Sequence, residues 1–462
     1  MSLAHLERYR VIRPITPPRR ILVSNIPYII TTNDRNDIVI LQKQSLYIER
    51  GVIQALLPAK QDRRYHKTVD VIYNAGLRSG IVVTPGLINA HAHPPMYLLR
   101  STTLLKNEHD TTEQALVLAR RIEQAMSLTD QTIASLGDFT EQQKMGTTTV
   151  LSHYHSPQAT RAAAQQAHIR LVDAVSLASK TDPAANLRSA VRVLTTGNPL
   201  IRPGLTIHTL AQVTRLQLQA VRRVLQQHRQ TILTIHCGET ATEIAACVER
   251  HGQRPVAVLH QAGLLGPRLI LSHAVHLTAD EIALLVKRRV GIVHLPTSNR
   301  IHRSGQFQWP EFFAWRGHHR IALGTDSVIS KSKLDIISEA FQSKIMHQDT
   351  AEPIHYTTLF RMMTINGARI LGLEHSVGRV WPGYQADLAF WKLKDRDFIP
   401  FDPRHPETLL GNMINHAGGN VRDLMVHGRF VISNRRHTLV DESALLTQLQ
   451  QHHIALRKRL KQ

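Results

Sequence analysis

The sequence predicts an α/β protein, a (β/α)8 barrel with a small β-sandwich domain formed from both chain ends. Short β-branched runs alternate with helical stretches in the middle of the chain, and strand-like runs without helices lie near both ends. The 462 residues also exceed the roughly 250–300 residues of a single ordinary core. We therefore predict a composite sandwich of residues 1–83 and 376–440, a barrel of residues 84–375, and a basic C-terminal helix of residues 441–462.

The sandwich is predicted from two β-rich segments that are far apart in the chain. Turn signals such as Asn-Asp, Arg-Gly and Ser-Gly separate the strand-like runs. These runs lie at residues 21–32, 37–41, 46–57 and 69–83 and, near the other end, at 378–393 and 421–436. The chain after them has an amphipathic helical pattern that ends in the basic cluster 457–461.

The barrel is predicted from eight buried-type strand runs that follow one another between those ends. They lie at residues 81–93, 147–155, 170–178, 205–210, 231–239, 269–277, 290–296 and 321–326. Helical stretches separate most of them, at 113–144, 159–166, 184–194, 213–227, 241–262 and 279–287, and one at 334–347 follows the last strand. Eight strand–helix units over about 290 residues match the size of a TIM barrel.

The composition is that of a globular protein with a basic surface. With 42% hydrophobic and 20% charged residues, the chain is not disordered, collagenous or a coiled coil. Lys and Arg exceed Asp and Glu by 56 to 35, which gives a net charge of +21 and makes nucleic acid, acidic lipid and anionic substrates all candidate partners. The two cysteines, Cys237 and Cys247, exclude a disulfide framework and a Cys-rich zinc site, and they fit a reducing cytoplasm.

Polar residues that can bind a metal end several of the predicted barrel strands, where the active sites of this fold lie. His91 and His93 alternate on the first strand, so both imidazoles point to the same side. His236 ends the fifth strand and Asp326 the eighth. Three imidazoles and one carboxylate leave an open coordination position for water on a divalent cation, with zinc favoured and iron or manganese as alternatives.

Two further residues fit the proton chemistry of a hydrolase. Glu239 follows His236 by three residues and is a candidate general acid and base, with Asp326 as a second proton acceptor. His273 ends the sixth strand and is a candidate for stabilising the tetrahedral centre. Each histidine alone fits a packed core or surface residue better than a catalytic one, so the hypothesis depends on the ordered set.

These motifs together resemble the amidohydrolase superfamily, in its branch of chlorohydrolases and of adenosine-type and cytosine deaminases. The first-strand signature is Thr-Pro-Gly-Leu-Ile-Asn-Ala-His-Ala-His at residues 84–93. Further motifs follow in order at 236–239, 272–277, 294–299, 324–326, 363–368 and 383–388. The resemblance covers about residues 40–435.

The resemblance implies hydrolytic deamination of a heterocyclic, amidine-like substrate in a barrel of this kind. By matched position, the ligands would be His91, His93, His236 and Asp326. Binuclear relatives carry a carbamylated lysine on the fourth strand, whereas residues 205–210 contain no lysine, which implies one metal ion. The resemblance also implies that Glu239 is the proton shuttle, that His273 polarises water and substrate, and that His208 lies at a substrate-binding position.

Four other residues are weaker candidates for substrate contacts. Arg100 follows the first strand, and His153 and His155 end the second, where they either face the substrate or support the site from behind. Glu123 lies about two residues from the position of a ribose-binding glutamate in the nucleoside deaminases that this chain resembles. Residues 99–108 lack the Trp-bearing stretch of adenosine-type members, which leaves the heterocycle open.

Three functions remain open from the sequence. The first is an aminohydrolase that releases ammonia from a purine, pyrimidine or related heterocycle, and the second is a hydrolase with the same site that opens a cyclic amide or releases halide. The third is a basic nucleic-acid-binding protein, which the complete ligand set argues against. Since no apolar run approaches the roughly 18 residues of a spanning helix, we expect a cytoplasmic enzyme without membrane contact, and a homodimer as the commonest assembly.

Overall fold

The computed structural model describes residues 18–76, 80–100, 112–177, 191–192, 197–330 and 333–460. These residues form an eight-stranded parallel sheet and a separate nine-stranded mixed sheet. Within the described ranges, no helix combines the length and the apolar character needed to cross a membrane.

The described chain begins with five strands of the mixed sheet. They are β1 (Arg20–Thr32), β2 (Ile38–Glu49), β3 (Val52–Pro58), β4 (Val71–Asn74) and β5 (Ile81–Pro85). β1 pairs antiparallel with β2 and parallel with β4 and β5, and β2 pairs antiparallel with β3. The long β1 therefore joins the parts of the sheet.

The next eight strands form the barrel. They are β6 (Leu87–Ala92), β7 (Thr147–Tyr154), β8 (Arg170–Ser176), β9 (Ile201–Ile207), β10 (Ile232–Cys237), β11 (Leu269–His273), β12 (Gly291–His294) and β13 (Ile321–Leu323). Neighbours in sequence are neighbours in the parallel sheet, and a parallel bridge between Ala92 and Asp326 brings its two ends together. The predicted barrel and its eight strands are confirmed.

The predicted first strand at residues 81–93 is in fact two strands. β5 belongs to the mixed sheet and β6 to the barrel, and Gly86 lies between them. A Cβ atom at Gly86 would lie 2.2 Å from the side chain of Thr148, so only glycine allows the chain to pass β7 this closely. One apolar run therefore serves both sheets.

Helices surround the barrel and extend beyond it. They are α1 (Thr112–Gln124), α2 (Leu128–Lys144), α3 (Pro157–Ala167), α4 (Arg215–Gln227), α5 (Ala241–His251), α6 (Pro255–Gln261), α7 (Ala279–Lys287), α8 (Pro296–Ile301), α9 (Trp309–Ala314), α10 (Ile336–Met346), α11 (Tyr356–Met363), α12 (Ile365–Ile370), α13 (Thr408–His416) and α14 (Glu442–Arg459). Short 3-10 helices lie at Ala59–Tyr65, Pro94–Leu99, Leu210–Gln212 and Gly317–Arg320.

Local capping explains where two predicted helices are interrupted. The helix predicted at 113–144 is divided into α1 and α2, because Ser127 and Asp130 form a capping box that starts a new helix. The helix predicted at 241–262 is divided because Gly252, at φ 75°, ends α5 and Pro255 begins α6. Most of the helix predicted at 184–194 lies outside the described residues.

The last four strands return to the mixed sheet. They are β14 (Leu388–Lys392), β15 (Val421–Val426), β16 (Arg429–Ser433) and β17 (Arg436–His437). β14 pairs antiparallel with β5, so both chain ends share one sheet. Its core includes Tyr73, whose ring packs against Phe390 and Phe430. The domain boundaries at residues 83 and 376 stay predictions.

The C-terminal helix α14 packs against α2. Arg459 and His452 both contact the buried carboxylate of Asp130, at 2.6 and 2.7 Å. Leu445, Leu449 and Leu456 are buried along the same helix. Two of the basic side chains of α14 therefore contact a carboxylate of α2.

Candidate active site

Three imidazoles meet at the C-terminal end of the barrel. His91 lies in β6, His93 follows it, and His236 lies in β10, with one nitrogen of each within 4.8 Å of the others. Nε2 of His91 is 3.1 Å from Nε2 of His93 and 3.1 Å from Nε2 of His236. Burial and the neighbouring imidazoles hold the pKa of His91 and His236 well below the ordinary value, so both rings are neutral and can bind a cation.

Hydrogen bonds on the outer side of these rings fix their orientation. Nδ1 of His236 donates to the main-chain carbonyl of His208 at 3.1 Å. Because that nitrogen carries the proton, Nε2 of neutral His236 presents a lone pair to the centre. Nδ1 of His91 lies 2.9 Å from the hydroxyl of Ser272, which holds the His91 ring in the same way.

Asp326 brings a carboxylate to the imidazoles from the end of the eighth barrel strand. Its Oδ1 lies 3.2 Å from Nε2 of His93, and its Oδ2 accepts a hydrogen bond from Ser298 at 2.6 Å. Burial alone would raise the pKa of Asp326, but the hydrogen bond and charge of His93 hold it well below the usual range. The carboxylate is therefore ionised. Asp326 has a φ of 60°, a left-handed conformation that is uncommon for residues other than glycine.

Glu239 and His273 face each other beside this cluster. Oε2 of Glu239 lies 3.7 Å from Nε2 of His273, and Nδ1 of His273 donates to Oδ1 of Asn299 at 2.8 Å. Burial lowers the pKa of His273, but Glu239, Asp326 and the Asn299 hydrogen bond outweigh it and raise that pKa overall. Like Asp326, His273 has a positive φ, at 73°. The arrangement therefore places one proton acceptor beside one imidazole that retains its proton more strongly than usual.

A second glutamate, which none of the sequence motifs predicts, supports the loop that carries Glu239. Oε2 of Glu243 accepts a hydrogen bond from the main-chain nitrogen of Gly238 at 2.7 Å. Burial raises the pKa of Glu243 to about 7. In the sequence, only the position of Glu243 in the first turn of α5, after the N-cap residue Thr240, indicates that it could bond to the preceding loop.

A cavity of about 350 Å³ opens at these residues. His93, His236, Glu239, His273 and Asp326 line it, together with His153, His155, His208, Glu123 and Arg120. Nearly all the sequence-predicted site residues therefore lie around one cavity.

Two of the lining residues present groups that suit a ligand. Nδ1 of His208 is buried without a hydrogen-bond partner among the described residues, and burial with the nearby His93 and Arg120 lowers the His208 pKa to about 4. Glu123 accepts a hydrogen bond from the hydroxyl of Tyr154 at 2.6 Å through Oε1. The sequence spacing predicts Glu123 only near a ligand-binding position, and the fold brings it to the cavity. Arg120, one helical turn earlier, was missed.

His153, in β7, and His155, directly after β7, have different surroundings. The ring of His153 is buried, lies 4.2 Å from the His236 ring and is within 2.8 Å of the Thr206 hydroxyl. His155 is exposed and stacks on Tyr154 at 4.2 Å. Thus His153 both lines the cavity and supports His236 from behind, whereas His155 lies at the cavity surface.

Arg100 is the one predicted substrate contact that the structure does not bring to the cavity. Its guanidinium binds Oε2 of Glu141 at 2.6 Å and lies over the ring of Tyr97 at 4.3 Å. The 3-10 helix Pro94–Leu99 turns the chain after β6 and directs Arg100 towards α2. Proximity in sequence to His93 therefore does not translate into a place in the site.

Comparison with known proteins identifies the family. The model of the Amidohydrolase family matches residues 82–431, which is more than half of the chain. The chain belongs to the amidohydrolase family. Among curated amidohydrolase relatives, a 5-methylthioadenosine/S-adenosylhomocysteine deaminase of Syntrophobacter fumaroxidans is 31% identical over 408 residues, covering 84% of this chain and 88% of the relative. A protein of the same name from Desulfitobacterium hafniense is 32% identical over 377 residues, covering 78% and 83%.

Solved amidohydrolase structures have the same architecture. An adenosine deaminase from Xanthomonas campestris with bound zinc is 26% identical, covers 95% of this chain and 98% of its own, and superposes with a TM-score of 0.85. An atrazine chlorohydrolase from Arthrobacter aurescens complexed with zinc is 20% identical, covers 94% and 100%, and has a TM-score of 0.83. The second likeness shows the fold alone.

These comparisons confirm the resemblance found in the sequence. The protein is a metal-dependent hydrolase that acts on carbon–nitrogen bonds, of the deaminase type. The cluster of His91, His93 and His236 supports a bound metal ion.

Proposed function

We propose that this amidohydrolase removes the exocyclic amine of an adenine nucleoside that carries a thioether substituent at its 5′ position. The observation that carries the proposal is the 3.7 Å contact between Glu239 and His273 at the edge of the imidazole cluster, inside a ligand-sized cavity. The names of the deaminase relatives supply the substrate class.

The residues present fit one divalent cation, and zinc is the ion we propose. The Nε2 atoms of His91, His93 and His236 converge, since those of His93 and His236 each lie 3.1 Å from that of His91. Imidazole nitrogens gathered in this way are suitable ligands for a cation, and Asp326 adds the anionic ligand. When bound, such an ion lowers the pKa of a water molecule to about 7 and so supplies a nucleophile at neutral pH.

The protein's own residues move the protons of the reaction. The carboxylate of Glu239 takes a proton from the attacking water and delivers it to the ring nitrogen next to the carbon that carries the amine. The water oxygen bonds to that carbon, and Asp326 or Glu239 passes the second proton of the water to the amine. The carbon–nitrogen bond then breaks, ammonia leaves, and the bound oxygen becomes the carbonyl of the product. His273, which keeps its proton through Glu239 and Asp326, donates a hydrogen bond to the oxygen that gains charge.

The remaining lining residues suit the sugar and the base. A carboxylate accepts hydrogen bonds from both hydroxyls of a ribose diol. Oε1 of Glu123 accepts from Tyr154, and its Oε2 has no hydrogen-bond partner among the described residues. We assign the unpartnered Nδ1 of His208 to the substrate and leave His153 as a support for His236. Arg120 provides a positive charge for substrates that extend to an acidic group.

The test is ammonia release by the zinc-loaded protein from a panel of amino-heterocycles. The panel holds adenosine, 5′-methylthioadenosine, S-adenosylhomocysteine, adenine, guanine and cytosine, with atrazine as a source of halide. We expect the 5′-thioether nucleosides to give the highest kcat/KM. No ammonia from any member, with zinc bound, would overturn the deaminase proposal, and chloride release from atrazine alone would favour the halide alternative.

Two variants assign the roles. Glu239→Gln is expected to retain one zinc per chain and to lose at least about a thousandfold in kcat, because the proton acceptor is gone. Glu123→Gln is expected to raise KM for nucleosides by about tenfold and to leave KM for adenine unchanged, since a free base has no ribose. Tyr154→Phe is its matched control and removes only the bond to Oε1. A cytoplasmic location and a homodimer stay predictions.

A further inference from the structure

We propose that a second cavity, at the N-terminal end of the barrel, binds a small phosphate-bearing anion. This cavity has a volume of about 380 Å³. Five arginines contribute to its lining: Arg35, Arg289, Arg316, Arg320 and Arg369. We call this set the arginine cavity.

The arginine cavity lies away from the catalytic cavity. Its lining includes Val290 and Ile292, at the start of β12, and Arg320, which directly precedes β13. The catalytic groups instead follow the other ends of the strands, as Asp326 does after β13. The two cavities share no lining residue among those described, so the arginine cavity is a separate site.

The lining is positively charged and lacks a counterion. Among the described residues, its polar side chains besides the arginines are those of His319 and Asn36, and the lining contains neither Asp nor Glu. Arg320 and Arg369 bond to neutral oxygens, the main-chain carbonyls of Pro267 and His319. Within the described chain, none of the five guanidiniums forms an ion pair with a carboxylate.

Arg320 shows the electrostatic consequence of this crowding. Burial lowers its pKa to about 10, and the positive charges of Arg289 and Arg369 act in the same direction. Glu374 opposes this effect at a distance without forming an ion pair. Nε of Arg320 is also buried with no hydrogen-bond partner in the described part of the chain. An anion in the cavity would relieve the repulsion and satisfy this donor.

The charge and the donor groups of the cavity suit a phosphate-bearing anion. Guanidinium groups bind phosphate oxygens through paired N–H donors, and several of them around one cavity match a ligand with several phosphate oxygens. The volume lies in the range of small-molecule sites, roughly 300–1,000 Å³. A di- or triphosphate fits such a cavity, whereas a nucleic acid duplex needs an extended surface.

Two arginines are suited to mutagenesis. Arg289 and Arg316 are exposed and have φ values of 58° and 56°, a conformation that asparagine adopts more readily than arginine. The double variant Arg289→Asn/Arg316→Asn therefore removes two charges without straining the backbone. The matched control is Arg223→Gln, which removes one exposed charge on α4, outside the cavity.

The experiment is calorimetric titration of the zinc-loaded protein with inorganic phosphate, pyrophosphate and tripolyphosphate, and with ATP. We expect affinity to increase with the number of phosphates, to fall at least tenfold in the double variant, and to be unchanged in Arg223→Gln. Heat from chelation of zinc is common to all three proteins and cancels in the comparison. Equal affinity for tripolyphosphate and ATP assigns recognition to the phosphates alone, and tighter ATP binding adds a nucleoside contact.

Three outcomes would overturn the proposal. They are no binding of any of these anions, an equal loss in the Arg223→Gln control, and displacement of pyrophosphate by an RNA oligomer with similar dependence on both variants. The last outcome would show a diffuse basic surface instead of a site. Ammonia release is expected to persist in the double variant, so the result is independent of the proposed catalytic function.

Discussion

The side-chain oxygen of Asn299 accepts a hydrogen bond of 2.8 Å from Nδ1 of His273. Both side chains are buried, with exposures of 0% and 1%. This bond determines which nitrogen of His273 faces Glu239, because a ring whose Nδ1 donates to Asn299 presents Nε2 to the cavity. A residue without contact to the substrate thus orients one that we place in the reaction.

Asn299→Ala is therefore expected to lower kcat about tenfold, because the His273 ring loses its fixed orientation. KM and zinc content are expected to stay unchanged. Steady-state ammonia release together with metal analysis measures both. The control is Asn299→Asp, which keeps an acceptor at the same place. If both variants lose the same activity, the hydrogen bond to His273 is not the reason for the loss.

The hydroxyl of Ser298 holds the carboxylate of Asp326 at 2.6 Å. Partners of this kind fix a metal ligand, and their loss commonly weakens metal binding by about 10–100-fold. Ser298→Ala is expected to weaken zinc affinity by about tenfold, as measured by competition with a chelator of known affinity.

The matched control for Ser298→Ala is Ser304→Ala. The Ser304 hydroxyl is also buried, but it has no hydrogen-bond partner among the described residues. Its removal is expected to leave zinc affinity unchanged. Zinc affinity that is as strong in Ser298→Ala as in Ser304→Ala would show that Asp326 needs no such support.

The sequence predicts the barrel and most of the candidate site because both depend on local order. Barrel strands that follow one another in the chain are also neighbours in the parallel sheet, so residues that end different strands, such as His236, His273 and Asp326, meet at one end of the sheet. Strand alternation likewise places His91 and His93 on one side. No long-range contact has to be known for these inferences.

The failures involve contacts that sequence spacing does not encode. Pro85-Gly86 is a turn signal within residues 81–93, but the requirement for glycine there follows from the close approach of Thr148 on another strand. Arg100 turns away because Glu141, on α2, offers an ion pair, and Glu123 reaches the cavity although its spacing differs from the expected one. Ser298 and Glu243 act through hydrogen bonds that only the folded chain brings together.

A buried ion pair joins the barrel to the mixed sheet. Arg170, in β8, binds both carboxylate oxygens of Asp387, at 2.8 and 3.1 Å, and their side chains are 3% and 2% exposed. Asp387→Asn leaves a buried guanidinium without its counterion, and we expect it to reduce the free energy of unfolding by about 3–5 kcal/mol. Denaturant unfolding measures this loss.

Asp402→Asn is the matched control for the Arg170 pair. Asp402 pairs with Arg404, whose side chain is 86% exposed, so solvent replaces the lost contact and stability is expected to stay unchanged. Adding Arg170→Met to Asp387→Asn removes the stranded charge and is expected to recover part of the loss. Equal stability of the Asp387→Asn and Asp402→Asn variants would show that the two sheets do not depend on this pair.

His347 is expected to make the protein sensitive to acid. Its ring is fully buried, lies 5.4 Å from that of His294, and has no hydrogen-bond partner at either nitrogen among the described residues. Burial lowers the pKa of His347 to about 4, whereas an unfolded histidine titrates near about 6.5. The unfolded chain therefore binds more protons between these values, so the stability contributed by neutral His347 is complete above about pH 6.5 and is lost as pH falls to about 4.

His347→Leu removes this proton uptake and keeps an apolar side chain in the same space. We expect the variant to lose less stability than the wild type on acidification, by about 1.4 kcal/mol for each pH unit between about 6.5 and 4. Denaturant midpoints at pH 7, 6 and 5 measure the difference, and His375→Leu, at an exposed position, is the control. Metal loss in acid affects all three proteins alike. Parallel curves for wild type and His347→Leu would mean that the buried ring does not titrate with unfolding.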